Sequence, residues 1–214
     1  MDKPLYLRLE EPTAPLRVGE SHWWGYPDLP PDVDIPTVYD EHDDMDYGLT
    51  FLCQINLADL PQRINSLPHE GLLLFFADIA YYCGQWDEPS IGCCVSDNKV
   101  VRVLYVPKAD MARVVSRQRE YAEEAVPPMR IVFCDERQGL ELSDHRLLGE
   151  PEYREWDDWD APYNGWQLLL QMDSCEIPGG EYNFMDVGVL NIIVSPEALR
   201  KLDFSDARGI ILST

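Results

Sequence analysis

The chain of 214 residues carries 39 acidic and 17 basic residues, which gives a formal net charge of −22. A surface this acidic repels nucleic acid and anionic membranes, because both bind through clustered lysine and arginine. Hydrophobic residues make up 45% of the chain, which is enough for a sizeable core and excludes a disordered polymer. Two interpretations of the acidity are open: it serves solubility alone, or it attracts a basic protein partner.

The amino-terminal residues and the cysteines indicate the compartment. Residues 1–10 contain no apolar stretch of the signal-peptide kind, and the longest apolar run, residues 71–77, is much shorter than the roughly 18 residues of a spanning helix. The six cysteines form no Cys-x-x-Cys pair, the spacing typical of a structural zinc site. We therefore expect a cytoplasmic protein with reduced thiols and with no bound metal or cofactor.

The first half of the chain begins with turns and continues with strands. Residues 1–48 are rich in proline, which breaks helices, so they predict a covering segment with short extended pieces. Two apolar runs, residues 49–56 and 71–77, predict strands, and residues 57–66 predict a short helix between them. Residues 100–106 alternate between apolar and other side chains, which predicts a further strand.

The second half also favours short strands. Residues 108–125 contain no glycine or proline and predict a helix with a thin apolar stripe. Strands are predicted at residues 131–134, 166–173 and 209–212. Ser195 followed by Pro196 is a typical helix start, because serine caps the first turn and proline suits the first helical position.

Two segments of the chain resemble each other at a constant spacing. Residues 49–56 and residues 166–173 are both apolar strands that end in glutamine, an apolar residue, and asparagine or aspartate. Gln54 and Gln171 are each followed 17 residues later by a glycine that opens another apolar run. A strand unit of this kind buries one face only when a second layer covers it, so two such units close a core together.

This repeat predicts the architecture. Each copy also carries a Gly-x-Pro-acid turn, residues 25–28 and 149–152. We expect internal duplication of one β-unit, with the copies at roughly residues 19–106 and 130–214. The chain is then a single domain over residues 1–214, of the α+β class and β-rich, with mainly antiparallel sheets and few short helices.

Gln54 and Gln171 stand in strands that are otherwise apolar on both sides. A buried amide costs free energy unless it is hydrogen-bonded. Two interpretations are open: both side chains hold loop backbone, or both contact a ligand in a candidate cleft between the two copies.

The residue types used in catalysis are present, but their spacing does not favour a catalytic site. The four histidines lie in four separate turn-like segments, and no metal-ligand or nucleophile motif occurs. Ser143, Asp144 and His145 are neighbours, whereas the members of a catalytic triad converge from distant positions. We therefore expect no catalytic residues and no enzymatic activity.

An acidic segment with several aromatic residues is the strongest candidate for a partner contact. Its candidate contact residues are Trp156, Asp157, Asp158, Trp159, Asp160 and Tyr163. Aromatic side chains are common interface anchors, and neighbouring carboxylates suit the arginine or lysine of a partner. Two alternatives remain: a solvated acidic loop whose tryptophans fold back onto the sheet, and a metal-binding loop.

Five short motifs occur along the chain in a definite order. They are a Gly-x-Pro-x-Leu-Pro turn at 25–30, a Phe-Leu-x-Gln-Ile-Asn-Leu strand at 51–57, a Leu-Pro-x-x-Gly-x-Leu-x-Phe-Phe strand at 67–76, a Leu-Leu-Gly-x-Pro turn at 147–151 and a Leu-Leu-Leu-Gln-Met-Asp strand at 168–173. This set resembles the YwqG-like family, a bacterial domain of unknown function. The chain departs from many relatives at Trp24, where they carry glycine, and at Ile35, where they carry tryptophan.

The resemblance implies a mixed, β-rich fold with no established activity or cofactor, and it carries over no catalytic residue. Similar domains accompany contact-dependent or secreted toxin systems, which implies an immunity or accessory role. Together with the acidity, we expect a non-enzymatic binding protein that binds and neutralises a basic partner such as a toxin domain. The alternative is a small-molecule or regulatory binding domain with its cleft near Gln54 and Gln171.

Overall fold

The computed structural model describes residues 2–41, 44–83, 91–118, 125–137, 144–152, 159, 161–177 and 180–213. Within these residues the chain forms short strands: β1 (Leu5–Glu10), β2 (His22–Trp23), β3 (Asp28–Leu29), β4 (Thr37–Asp40), β5 (Met45–Gly48), β6 (Thr50–Asn56), β7 (Leu72–Ala77), β8 (Val101–Val106), β9 (Val115–Ser116), β10 (Met129–Cys134), β11 (Arg146–Leu147), β12 (Gln167–Asp173), β13 (Cys175–Ile177), β14 (Gly180–Tyr182), β15 (Val189–Val194) and β16 (Arg208–Leu212).

In the described part of the chain, helical structure is confined to short pieces. The described residues contain the α-helix α1 (Pro196–Lys201) and 3₁₀ helices at Leu57–Asp59, Ala80–Cys83, Asn98–Val100, Lys108–Arg113 and Tyr163–Gly165. The Ser195 Oγ accepts a hydrogen bond from the Ala198 N–H at 3.1 Å, and Pro196 occupies the first helical position, so the predicted helix start is confirmed. None of the described helices has the length and apolar character needed to cross a membrane.

Ten of the strands form one antiparallel sheet. Their order is β16-β15-β12-β11-β1-β10-β2-β6-β7-β8, and three two-stranded sheets, β3–β9, β4–β5 and β13–β14, flank it. This arrangement confirms a strand-rich fold of mainly antiparallel sheets with few helices.

The centre of the sheet is built by an exchange of strands between the two halves of the chain. β1 comes from the start of the chain but pairs with β11, whereas β10 comes from the second half but pairs with β2. β1 and β10 then pair with each other, from Tyr6 opposite Cys134 to Glu10 opposite Arg130. Each half of the sheet therefore contains one strand from the other half of the chain.

The two halves of the sheet use the same strand registers. The β6–β7 ladder begins with Thr50 opposite Ala77, and the β12–β15 ladder begins with Gln167 opposite Val194. Gln167 lies 117 residues after Thr50, and Val194 lies 117 residues after Ala77. Both ladders shift register at the third residue: between Phe51 and Cys53 in β6, and at the corresponding point in β12.

Apolar side chains cover both faces of the sheet. On β7, Leu73 and Phe75 belong to the largest cluster, whereas Leu72, Leu74 and Phe76 belong to a second cluster, because successive side chains of a strand point to opposite faces. The largest cluster draws on both halves of the chain, and a third cluster packs on β15 and β16.

Two predicted helices differ from the structure. Residues 108–125 were expected to be helical, but the chain forms the 3₁₀ helix Lys108–Arg113 and then the strand β9, and residues 119–124 lie outside the described residues. The thin apolar stripe explains the difference. Among the described residues of this segment, Val114 alone is buried, in the second cluster, so they offer no continuous apolar face for a helix. The helix expected at 57–66 is limited to Leu57–Asp59, because Pro61 lacks the N–H needed to continue it.

Candidate functional site

Gln54 and Gln171 are both completely buried, and each connects two stretches of backbone. The Gln54 Oε1 accepts from the Asp28 N–H at 2.9 Å, and its Nε2 donates to the Glu20 carbonyl at 2.9 Å. The Gln171 Oε1 accepts from the Glu152 N–H at 2.9 Å, and its Nε2 donates to the Asp144 carbonyl at 3.0 Å. The protein's own groups therefore occupy both amides, at the two positions named as a candidate cleft.

The turns that these glutamines hold have the same backbone conformation. Trp24 and Gly25 have φ of 55° and 74°, and Leu148 and Gly149 have φ of 60° and 78°. A Cβ on Gly25 would lie 2.9 Å from the Pro128 Cβ, and a Cβ on Gly149 would lie 2.8 Å from the Pro4 Cβ. Glycine is required in both turns by the close approach as well as by the positive φ.

The acidic aromatic segment is only partly described. Trp156, Asp157, Asp158 and Asp160 lie outside the described residues. Trp159 is 2% exposed and packs in the third cluster, so its ring faces the sheet and is not an exposed interface anchor. Tyr163 is half-buried in the 3₁₀ helix Tyr163–Gly165, with the Arg208 guanidinium 5.0 Å from its ring centroid.

A groove of about 810 Å³ opens next to the central strands. Residues 6–9 of β1 line it, together with residues of the β13–β14 hairpin. Trp24, Met129 and Tyr182 contribute apolar surface, and the Trp24 and Tyr182 rings stack with their centroids 6.0 Å apart. The groove therefore combines an aromatic and aliphatic floor with polar groups from both halves of the chain.

The rim of this groove is acidic. Glu11, Glu176 and Glu181 are exposed and line the groove, and none of them forms an ion pair within the described part of the chain. Glu176 and Glu181 lie directly opposite each other in the β13–β14 ladder. Like charges in this arrangement repel each other and destabilise a hairpin.

The two arginines that line the groove, Arg8 and Arg137, form ion pairs with carboxylates that are not part of this rim. The Arg8 guanidinium lies 2.6 Å from the Glu10 carboxylate, and the Arg137 guanidinium lies 3.0 Å from the Glu152 carboxylate. The rim therefore keeps a negative charge available for a ligand.

A buried network of charges includes Asp144, which lines the groove. The Arg146 guanidinium lies 2.5 Å from the Asp144 carboxylate and 3.1 Å from that of Glu152. Burial and the hydrogen bond with the Glu152 carboxyl raise the pKa of Asp144 to about 7, against the lowering effect of Arg146. The Asp144 carboxyl is therefore only partly ionised at neutral pH.

His145 lines the groove but is held as a neutral imidazole. Its Nδ1 accepts a hydrogen bond from the Asp173 N–H at 3.1 Å, and its ring lies 4.5 Å from the Trp23 ring, centroid to centroid. Burial lowers the pKa of His145 to about 3 and raises the pKa of the neighbouring Cys175 thiol to about 12. Both shifts disfavour general-base or thiolate chemistry at neutral pH, so these two residues suit binding better than nucleophilic catalysis.

This groove was not predicted from the sequence. Its acidic rim lies mostly on the connection between β12 and β15, which contains no catalytic motif and therefore did not suggest a site. A signal was present: residues 174–188 carry three acidic residues and no lysine or arginine, whereas the corresponding residues 57–71 contain Arg63.

The chain was compared with protein families and with curated proteins. No curated protein matches the chain. The model of the family described as "Domain of unknown function (DUF1963)" matches residues 21–211, which include β2 to β16 except for the last residue of β16. The chain belongs to the DUF1963 family.

Proposed function

We propose that this protein is a non-enzymatic binding protein that takes up a cationic segment of a basic protein partner in the acidic groove. The observation that carries the proposal is the rim of three exposed carboxylates, Glu11, Glu176 and Glu181, around a floor of aromatic and aliphatic side chains. A lysine or arginine side chain fits such a groove, because its stem packs on apolar surface while its charge meets the rim.

The charge of the whole molecule supports the same proposal. A net charge of −22 attracts a basic partner over long distances and raises the rate of encounter at low salt. Steering of this kind is not specific by itself. The groove would supply specificity, because its carboxylates surround a defined volume.

Exposed apolar residues at the rim offer anchor points for the partner. Val187 is 65% exposed and lines the groove, and Met185 is 42% exposed in the same loop. Met185, Asp186 and Val187 all have positive φ, between 48° and 64°, which is unusual for three successive residues without glycine. Strained backbone of this kind often persists at functional sites.

The nature of the partner is proposed from the family resemblance. A YwqG-like domain in the bacterial cytoplasm that accompanies a toxin system would act as an immunity or accessory protein, and the basic partner would be the toxin domain. The segment with Trp156, Asp157, Asp158, Asp160 and Tyr163 is a proposed second contact, for which buried Trp159 would serve as an internal support.

We also propose that the chain arose by duplication of one β-unit with exchange of the first strand. Four correspondences support this proposal: the equal ladder registers, the equal register shifts, the paired glutamine hydrogen bonds and the paired turns. The exchange of β1 and β10 gives the two units a shared centre, beside which the groove lies.

Differential capture tests the proposed function. The wild-type protein and the variant Glu11→Gln/Glu176→Gln/Glu181→Gln serve as baits for proteins of the native organism, eluted with rising salt. A matched control, Glu41→Gln/Glu70→Gln/Glu197→Gln, loses the same charge from exposed positions outside the groove. We expect a basic protein that binds wild type and the control but not the groove variant. Equal capture by all three baits would contradict the proposal.

A second candidate function is the binding of a small molecule in the same groove. Its volume of about 810 Å³ falls within the range of roughly 300–1,000 Å³ that is typical of ligand pockets. This candidate predicts that a metabolite raises the melting temperature of the wild-type protein at high salt, where binding of a cationic segment is weakened.

A further inference from the structure

The two connections that follow the corresponding strands β6 and β12 are equal in length but differ in structure. Residues 57–71 and 174–188 are both fifteen residues long, and each ends in a glycine before β7 or β15. The first connection packs its apolar residues against the sheet, with Leu57, Leu60 and Ile64 buried in the largest cluster. The second connection forms the β13–β14 hairpin and leaves the groove open beside it.

In the first connection, Arg63 binds the end of the central strand pair. Its Nε donates to the Asp135 carboxylate at 2.6 Å. Its two terminal nitrogens donate to the carbonyls of Lys3 at 3.2 Å and Pro4 at 3.1 Å. A single guanidinium thus satisfies one carboxylate and two carbonyls just outside β1 and β10.

The strand registers locate the corresponding place in the other half. Leu5 and Tyr6 of β1 pair with β11 in the same way that Met129 and Arg130 of β10 pair with β2. Met129 therefore corresponds to Leu5, and Arg130 to Tyr6. Each position in and around β1 thus corresponds to the position 124 residues later in the chain. The two glycine turns agree with this offset, because they approach Pro4 and Pro128. By position in the chain, the residues that correspond to Asp135, Lys3 and Pro4 are therefore Glu11, Pro127 and Pro128.

This corresponding place belongs to the groove, and Glu11 forms no ion pair there among the described residues. Glu11 and the neighbouring Met129 line the groove. The residue that corresponds to Arg63 is Gly180, and residues 174–188 contain no lysine or arginine. The second half therefore keeps the carboxylate but lacks the side chain that would bind it.

We propose that the Glu11 end of the groove binds an arginine side chain of the protein partner, in the position that Arg63 takes at Asp135. This inference rests on the proposed function and specifies the residue that the partner supplies. Arginine is favoured over lysine because its planar fork can reach a carboxylate and two carbonyls together, as Arg63 does, whereas an ammonium group presents a compact charge.

The hairpin extends the recognition to a second basic residue. Glu176 and Glu181 face each other across the hairpin without a cation among the described residues. A basic side chain placed between them would relieve their repulsion. The partner segment is therefore expected to carry an arginine for Glu11 and a second basic residue for the hairpin.

A pair of labelled peptides tests this inference. Fluorescence anisotropy compares Leu-Arg-Ile-Arg-Leu with Leu-Lys-Ile-Lys-Leu for wild type, Glu11→Gln and the distant control Glu197→Gln. For wild type we expect the arginine peptide to bind about tenfold more tightly than the lysine peptide. Glu11→Gln should remove most of this difference, while Glu197→Gln should keep it.

The outcomes separate the inference from the proposed function. Equal affinities for the two peptides, or an arginine preference that survives Glu11→Gln, would overturn the inference. If Glu176→Gln/Glu181→Gln still weakened both peptides in that case, the acidic groove would stand as a binding site for cationic segments, without the arginine site. If neither peptide bound, the inference would be overturned, and the capture experiment would decide the proposed function separately.

Discussion

Gln54 and Gln171 show how one residue type can hold a turn to a strand. Each amide accepts a hydrogen bond from one backbone N–H and donates one to a backbone carbonyl, and both side chains are completely buried. A shorter or apolar side chain would leave both groups buried and unpaired.

Gln54→Leu is therefore expected to lower the free energy of unfolding by about 3 kcal/mol, because unpaired buried polar groups cost about 1–3 kcal/mol each. Urea unfolding followed by fluorescence measures this change. The control Gln62→Leu lies in an exposed turn and should change stability by less than about 0.5 kcal/mol. A loss below about 1 kcal/mol for Gln54→Leu would contradict the structural role of the amide.

His145 gives the stability a pH dependence of known sign. Its pKa is about 3 in the folded protein and about 6.5 in an unfolded chain, so the unfolded chain takes up the proton first as the pH falls. The contribution of His145 to stability is therefore complete above about pH 6.5 and is lost between pH 6.5 and pH 3. Asp144 has the opposite sign, because its raised pKa favours the folded state at low pH.

His145→Asn separates the two effects, because the asparagine carbonyl can still accept the Asp173 N–H while the titrating ring is gone. We expect the stability of wild type relative to this variant to fall by about 1.4 kcal/mol per pH unit below pH 6. Asp144 remains in both proteins and cancels in the difference. A difference that is constant between pH 7 and pH 5, measured by urea unfolding, would show that the His145 ring is not buried in the folded protein.

At the scale of single elements, the connection at residues 57–71 depends on Arg63 for its contact with the central strands. Arg63→Lys keeps the charge but loses the fork that bonds Asp135 and two carbonyls. The ion pair is partly exposed, so a loss of only about 1 kcal/mol is expected, which corresponds to about 2–4 °C in melting temperature.

The control for this substitution is Arg17→Lys, since Arg17 also pairs with a carboxylate but is largely exposed. Its melting temperature should stay within about 1 °C of wild type. Equal effects of the two substitutions in a thermal unfolding experiment would mean that Arg63 does not tie the connection to the strands.

The strands were predictable from the sequence, because a run such as residues 71–77 is apolar on both faces and thereby identifies a buried strand. The start of α1 was predictable for a similar local reason, namely the cap at Ser195. The helix expected at 108–125 was wrong, because helix propensity did not outweigh the need to place Val114 in a core cluster. The groove was not predictable in this way, since it depends on how two connections of equal length fold above the sheet.

At the scale of the whole molecule, the exchange of β1 and β10 makes each half depend on the other. A fragment of residues 1–118 contains β1 but neither of its sheet neighbours, and a fragment of residues 125–214 contains β10 without β1 or β2. Each fragment would therefore expose unpaired strand edges and part of the shared core.

We expect each fragment to lack a cooperative unfolding transition alone and to recover the β-sheet spectrum when the two are mixed. Circular dichroism with urea titration measures both properties. Leu7→Asp in the first fragment should abolish the recovery, because Leu7 is buried in the shared core. Cooperative unfolding of either fragment alone would contradict the dependence of the halves on each other.

The central claim, that the groove takes up a basic partner, is tested most directly by site-specific photo-crosslinking in the native organism. A photoreactive residue replaces Val187, which is 65% exposed at the groove, or Val18, which is 54% exposed and does not line it. The account predicts an adduct with a basic protein from position 187 but not from position 18, and its loss when Glu11, Glu176 and Glu181 are changed to glutamine. An adduct from position 18 alone, or one from position 187 that persists in the glutamine variant, would contradict the account.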